Sequence, residues 1–172
     1  MKKIAKITAA GNEWVLCGEG AATRKRDGTA CAVIGGVLHA RYDAKRGKTP
    51  PPGAIPCQDP DPATGHWPHW VRVDLDAPAY RWHAEAWAAL AEPLPDGTYE
   101  LCGPAVNGNA EGLAGHVFFR HGEEVLDRVP RTMDGIRKFL ERNVMEGIVF
   151  HREDGRMAKI RRKDFGLPWG GR

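Results

Sequence analysis

Long apolar runs are missing from the 172 residues, and none approaches the roughly 20 needed to span a bilayer as a helix. Met1-Lys2-Lys3 is basic, but no apolar stretch of signal-peptide length follows it. The expectation is a cytoplasmic protein with no membrane partner. Cysteine is scarce as well, at four residues. Cys17, Cys31, Cys57 and Cys102 make neither a C-x-x-C pair nor a short ladder, which argues against a disulfide scaffold or a cysteine zinc site. Cys57, His66 and His69 are spaced too irregularly for a zinc signature. No charge dominates either: 25 Lys and Arg face 22 Asp and Glu, a net +3. That mild basicity admits a polyanionic partner without singling one out.

What is plentiful is glycine, 21 residues, and proline, 13, spread along the chain. They punctuate many short strands rather than a helical bundle. With 42% hydrophobic and 27% charged residues the chain can bury a core, and its length fits a single domain over residues 1–172. The pattern predicts an α+β fold. Strands are expected at Trp14–Cys17, Ala30–Ile34, Val37–Arg41, Trp70–Leu75, Thr98–Cys102, His116–Arg120, Gly147–His151 and Met157–Arg161. Asp27-Gly28, Gly35-Gly36 and Asp154-Gly155 read as hairpin turns, which call on residues that tolerate positive φ. Two helices are expected. Tyr80–Ala91 places Ala84, Trp87, Ala88 and Ala91 on one face, and Thr132–Asn143 opens with a Thr cap and a stripe of Ile136, Phe139 and Leu140. Asp43–His69, crowded with Pro and Gly, reads as a long structureless stretch of the kind that serves as a functional loop or lid. Trp67 and Trp70 are its candidates for stacking on a base.

The chemistry begins at Lys25-Arg26-Asp27-Gly28. A K-x-D-G tetrapeptide alone is a weak signal, but its companions come in order. Tyr99-Glu100-Leu101 is followed by Cys102-Gly103-Pro104, then by Glu146-Gly147-Ile148-Val149-Phe150, then by Lys159-Ile160-Arg161. In that order they resemble motifs I, III, IV and V of the covalent nucleotidyltransferases, the superfamily of polynucleotide ligases and mRNA capping enzymes. DNA-sealing ligases and capping enzymes usually extend the first motif to K-x-D-G-x-R, where this chain has Ala30, and their appended oligonucleotide-binding barrel is not expected here. The closer resemblance is to the vertebrate-type ATP-dependent 5′-to-3′ RNA ligase family. It runs through Lys25–Thr29, Ala40–Lys45, Gly65–Trp70, Glu100–Asn109, His121-Gly122 and Glu146–Gly166, ending in Leu167-Pro168-Trp169. Two positions depart: Arg24 stands where that family often has an acidic residue, and Arg161 replaces the second lysine common in motif V.

The resemblance implies a nucleotidyltransferase, or ATP-grasp-like ligase catalytic, domain of mainly antiparallel sheets with a few helices. It implies an enzyme that joins RNA 5′-phosphate and 3′-hydroxyl ends through lysyl-AMP, as in RNA repair, with ATP and Mg²⁺ or Mn²⁺. The residue chemistry agrees. A lysine attacks the α-phosphorus of ATP only as a neutral amine, and its ordinary pKa of about 10.4 keeps it protonated. Positive neighbours such as Arg24, Arg26 and Lys159 disfavour the ammonium. The expected catalytic residues are therefore Lys25, Lys159 and Glu146, with Glu146 as the metal ligand. Nucleotide binding is assigned to Arg24, Lys25, Asp27, Arg41, Glu100, Phe119, Lys159 and Arg161. Within this set Glu100 accepts from ribose hydroxyls, Phe119 rather than Phe118 stacks on adenine, and Arg41 with Lys45 holds nucleotide or the RNA 5′-phosphate. Lys159 and Arg161, two apart on a strand, point to one face and hold the α-phosphate. Two other readings stand beside this one: a GTP-using capping-type nucleotidyltransferase, and a non-catalytic RNA-binding module of the same fold.

Overall fold

Alternation decides the sheet that carries the first and last motifs. Met157-Ala158-Lys159-Ile160-Arg161 buries every second residue, with Ala158 and Ile160 at 0% and 2% exposure. Its neighbour Gly147–His151 is buried along most of its length. The computed structural model describes residues 4–45 and 47–170, and Arg46, within the expected 43–69 loop, lies outside them. The observed class is α+β, mostly antiparallel, with two α-helices among the described residues.

The chain divides into two compact units, residues 28–120 and residues 4–27 with 121–170. The second unit holds a four-stranded sheet in the order β1-β10-β9-β2. Its strands are β1 (Ala5–Lys6), β2 (Ala21–Lys25), β9 (Gly147–His151) and β10 (Met157–Arg161). Only the β1–β10 pair is parallel. Helix α2 (Met133–Arg142) buries Ile136 and Leu140 against Ile148, Phe150, Ala158 and Ile160. Its N-terminus is capped as the sequence predicts, Gly135 N donating to Thr132 Oγ1 at 3.1 Å.

The first unit is a six-stranded antiparallel sheet in the order β5-β6-β4-β3-β7-β8. These strands are β3 (Thr29–Ile34), β4 (Val37–Ala44), β5 (Ile55–Pro56), β6 (Trp67–Arg72), β7 (Gly97–Cys102) and β8 (Val117–Arg120). One face packs Cys31, Val33, Leu38, Tyr99, Leu101 and Phe118 with Ala86 of helix α1 (Arg81–Ala88). The β3–β4 hairpin turns through Gly35 and Gly36 at φ 58° and 74°, and both N–H groups donate to Asp96, at 2.7 and 3.0 Å.

Several expectations are corrected. Trp14–Cys17 is not a strand: Glu13–Val15 forms a 3₁₀ turn that buries Trp14 and Val15, and the strand before Lys25 is Ala21–Lys25. A short apolar run shows burial but not period. Asp27-Gly28 is no hairpin, since β2 and β3 belong to different sheets. Gly28 is needed for close approach instead, because a Cβ there would lie 2.2 Å from the Leu101 carbonyl oxygen. Helix α1 turns inward a face that holds Ala86 together with the expected Trp87, while Ala88 and Ala91 are exposed. The 43–69 stretch is not structureless. β4 runs to Ala44, β6 begins at Trp67, β5 pairs with β6, and Trp67 Nε1 donates to Gln58 O at 2.8 Å.

The α2 packing yields a ranked expectation. Leu140→Ala, at a site with 0% exposure, should cost about 2–5 kcal/mol. Thr132→Ala, which removes only the cap, should cost about 1 kcal/mol. Urea unfolding of both variants checks the order.

Candidate active site

Strand register sorts the candidate residues of each unit. On the four-stranded sheet, Lys25 and Arg161 both lie opposite Gly147, while Thr23 and Lys159 both lie opposite Val149. Directly opposed residues share a face, and so do residues two apart on a strand. Lys25, Lys159 and Arg161 therefore stand on one face, away from the side that packs α2. Lys6 pairs with Lys159 in the parallel ladder and joins them.

Two carboxylates meet these cations. Lys25 Nζ donates to Glu146 Oε2 and, at 3.3 Å, to the carbonyl oxygen of Arg26. Glu146 immediately precedes β9, and its own carbonyl oxygen accepts from Arg162 N at 2.8 Å. Arg161 donates from Nε and Nη2 to Asp164, at 3.2 Å each, and Lys6 Nζ lies 3.2 Å from the same carboxylate. Burial alone would raise the Asp164 carboxyl. The hydrogen bonds from Arg161 and Lys6 outweigh it and hold the pKa at about 2. Gly147 has no latitude between these strands: a Cβ there would lie 2.2 Å from the Ile160 carbonyl oxygen.

The loop after Lys25 is gripped residue by residue. Arg26 donates to Glu124 at 3.1 and 2.7 Å, and Asp27 Oδ2 accepts from Trp169 Nε1 at 2.8 Å. Arg24 does not share the Lys25 face. It lies opposite Ile148 on the core side, with Nη1 3.4 Å from Glu124.

The remaining candidates belong to the six-stranded sheet. Glu100 lies opposite Ala30 on one side and Phe119 on the other. Arg41, two residues beyond His39, falls on the same face, because His39 lies opposite Ala32. Phe118 points the other way, into the core against Trp87 and Tyr99. Gly28 N donates to Glu100 Oε1 at 3.2 Å, and Asn107 Nδ2 donates to the Gly28 carbonyl oxygen at 2.9 Å. Arg41 Nε lies 3.1 Å from Asp43, whose carboxylate is also 3.3 Å from His66 Nε2. Lys45 is exposed just beyond β4, and Trp70 is buried beside Ala30 and Ala32.

Comparison with known proteins converges on one family. The family model described as RNA ligase 1 matches residues 88–172. RNA ligase 1 of Danio rerio is 31% identical over 138 aligned positions, covering 61% of this chain and 42% of that protein. The Pongo abelii protein of the same name is 31% identical over 137 positions, with the same shares. That of Rattus norvegicus is 28% identical over 141. The chain is similar to the RNA ligase 1 family over these stretches. It spans about two fifths of the length of the curated relatives it matches. The stretch matched by the RNA ligase 1 model holds Glu100, Phe119, Glu146, Lys159 and Arg161, whereas Arg24, Lys25, Asp27 and Arg41 precede it.

Sequence reasoning missed Glu124, which holds both Arg24 and Arg26, and the bond from Trp169 to Asp27. Leu167-Pro168-Trp169 was visible as a family-like stretch, but nothing in the sequence points from it to a partner 142 residues away. Among the described residues no helix is long and apolar enough to cross a membrane.

The Asp164 cluster has a pH signature. Its pKa falls from the ordinary 3.8 to about 2 on folding. The stability it contributes is complete above the unfolded value and is lost as pH falls from about 4 toward 2. Asp164→Asn should be less stable at neutral pH and should lack that part of the acid transition, as measured by urea unfolding at a series of pH values.

Proposed function

We propose that this chain is the adenylating part of an ATP-dependent RNA ligase, with a nucleotidyltransferase fold over residues 1–172. The observation that carries the reading is the Lys25–Glu146 pair at the end of β2, on a face shared with Lys159 and Arg161. It occurs in a relative of RNA ligase 1. Lys25 attacks the α-phosphorus of ATP as a neutral amine, forming a phosphoramidate with AMP and releasing pyrophosphate. AMP then passes to an RNA 5′-phosphate, and the adjoining 3′-hydroxyl displaces it to close the phosphodiester.

Each side chain has a part in that sequence. Lys159 and Arg161 face the same space as Lys25 and stabilise negative charge on the α-phosphate as it builds. Glu100, Phe119 and Arg41, on one face of the six-stranded sheet, hold ribose, adenine and phosphate. Arg24, next to Lys25 in the chain, acts toward the nucleotide through its charge, which disfavours the Lys25 ammonium. Among the described residues no group of three His, Cys, Asp or Glu is placed to hold a metal ion by itself. Glu146 still fits Mg²⁺ or Mn²⁺, since Mg²⁺ is commonly held by one or two carboxylates together with substrate phosphates and water. Bound there, such a cation would balance phosphate charge and draw the carboxylate away from Lys25.

Incubation with α-labelled ATP and a divalent cation should give a labelled protein band, and α-labelled GTP should not. Lys25→Ala should abolish the band and the sealing of RNA. Glu146→Ala should cripple metal-dependent labelling while leaving the fold intact. A labelled Lys25→Ala protein would refute the assignment.

The polymer is read through its sugar. A net charge of +3 offers few groups for counterion release along a duplex, so contacts concentrate near the ends. The 2′-hydroxyl, donor and acceptor at once, is what distinguishes RNA there. Changing only the 3′-terminal nucleotide from ribose to deoxyribose should slow sealing, whereas the same change on the 5′-phosphate strand should matter less. Equal rates for the two 3′ ends would point to a general polynucleotide ligase.

A further inference from the structure

Leu167-Pro168-Trp169 is a stretch for which the proposed chemistry gives no role, yet it closes a ring of hydrogen bonds around the Lys25 loop. Lys25 Nζ donates to the Glu146 carboxylate, and the Glu146 carbonyl oxygen accepts from Arg162 N at 2.8 Å. Arg162 Nε donates to the Pro168 carbonyl oxygen at 2.7 Å. Trp169 Nε1 donates to Asp27 Oδ2 at 2.8 Å, and two peptide bonds lead from Asp27 back to Lys25. The ring is anchored from outside. Arg162 Nη1 donates to the carbonyl oxygens of Leu140 and Asn143 at the end of α2, and Leu167 packs into the core beneath.

Trp169 itself is only partly buried. Phe165 and Leu167 pack against the core cluster, but Trp169 is not among the residues packed there. What the indole contributes is one N–H, a donor with no acceptor capacity, aimed at a carboxylate. A hydrogen bond to a charged group is stronger than a neutral one and more directional than packing. Arg26, between Lys25 and Asp27, is held independently by Glu124.

We propose that Trp169 is a positioning residue for Lys25, acting through Asp27. This rests on the reading of Lys25 as the group that takes AMP. By fixing Asp27 against Arg162 and Glu146, the indole N–H limits the angles from which the Lys25 amine approaches the α-phosphorus. Loss of the bond widens that range and lowers the rate of attack, while the number of competent molecules stays the same.

Single-turnover labelling with α-labelled ATP separates these two quantities. Trp169→Phe keeps a ring and removes the donor. Its rate constant for adduct formation should fall by at least about tenfold, with full final amplitude and a melting temperature close to the parent's. An unchanged rate constant overturns the inference, whether or not the amplitude drops, because a merely structural role lowers the amplitude alone. Should Trp169→Phe fail to fold, Asp27→Asn carries the test. With a neutral amide as acceptor, the Trp169 indole proton should move upfield in the NMR spectrum and the adduct should form more slowly. An unmoved indole proton overturns the inference. A parent protein that forms no adduct is a different result: it removes the nucleotidyl-transfer reading and this inference with it.

Discussion

Strand pleat puts like charges side by side on the four-stranded sheet. Lys6, Lys25, Lys159 and Arg161 share a face because β1, β2, β9 and β10 pair in one register, and a one-residue slip of β1, β2 or β10 would turn that strand's cations toward the core. The face is tolerable because carboxylates meet it at two points, Glu146 on Lys25 and Asp164 on Arg161 and Lys6.

Much of this arrangement was legible in the sequence, and the reason is periodicity. β9 and β10 appear at the expected boundaries, with Ile148 and Phe150 on one strand and Ala158 and Ile160 on the other spaced two apart on the core face. Helix α2 was equally readable from Thr132 and the Ile136–Leu140 spacing. β2 was not. Ala21-Ala22-Thr23-Arg24-Lys25 has almost no apolar signal, and its strand exists because β9 pairs with it residue by residue. The neighbouring Trp14-Val15 has abundant apolar signal and folds as a 3₁₀ turn, since burial is all that hydrophobicity reports.

The site shows the same division. Shared faces follow from parity, so the grouping of Lys159 with Arg161 needs only their spacing. Contacts between distant segments do not follow from parity. Glu124 lies about 100 residues from the arginines it holds and carries no motif, and Trp169 looks in sequence like any other tryptophan near a proline. The face of α1 was misread for a related reason. Alanines at helical spacing mark several possible stripes, and the choice among them is made by tertiary partners such as His116, which stacks on Trp82 at 4.7 Å and lies 2.9 Å from Glu85.

On the proposed reading, Arg161 is a departure from the usual motif that keeps its positive charge. A lysine at that position offers a compact point charge on a flexible stem. The guanidinium offers a planar fork whose charge persists at any pH the protein meets. Asp164 binds that fork through Nε and Nη2 and, as the capping residue of the following 3₁₀ turn, also accepts from the Arg161 backbone N–H at 2.9 Å. The plane of the fork is thereby fixed to the backbone that carries it. A group held this way needs little reorganisation when charge develops in front of it, which is the condition under which electrostatic stabilisation is most effective. On the proposed reading, arginine with its aspartate therefore supplies by rigidity what a lysine in the same place would supply by reach.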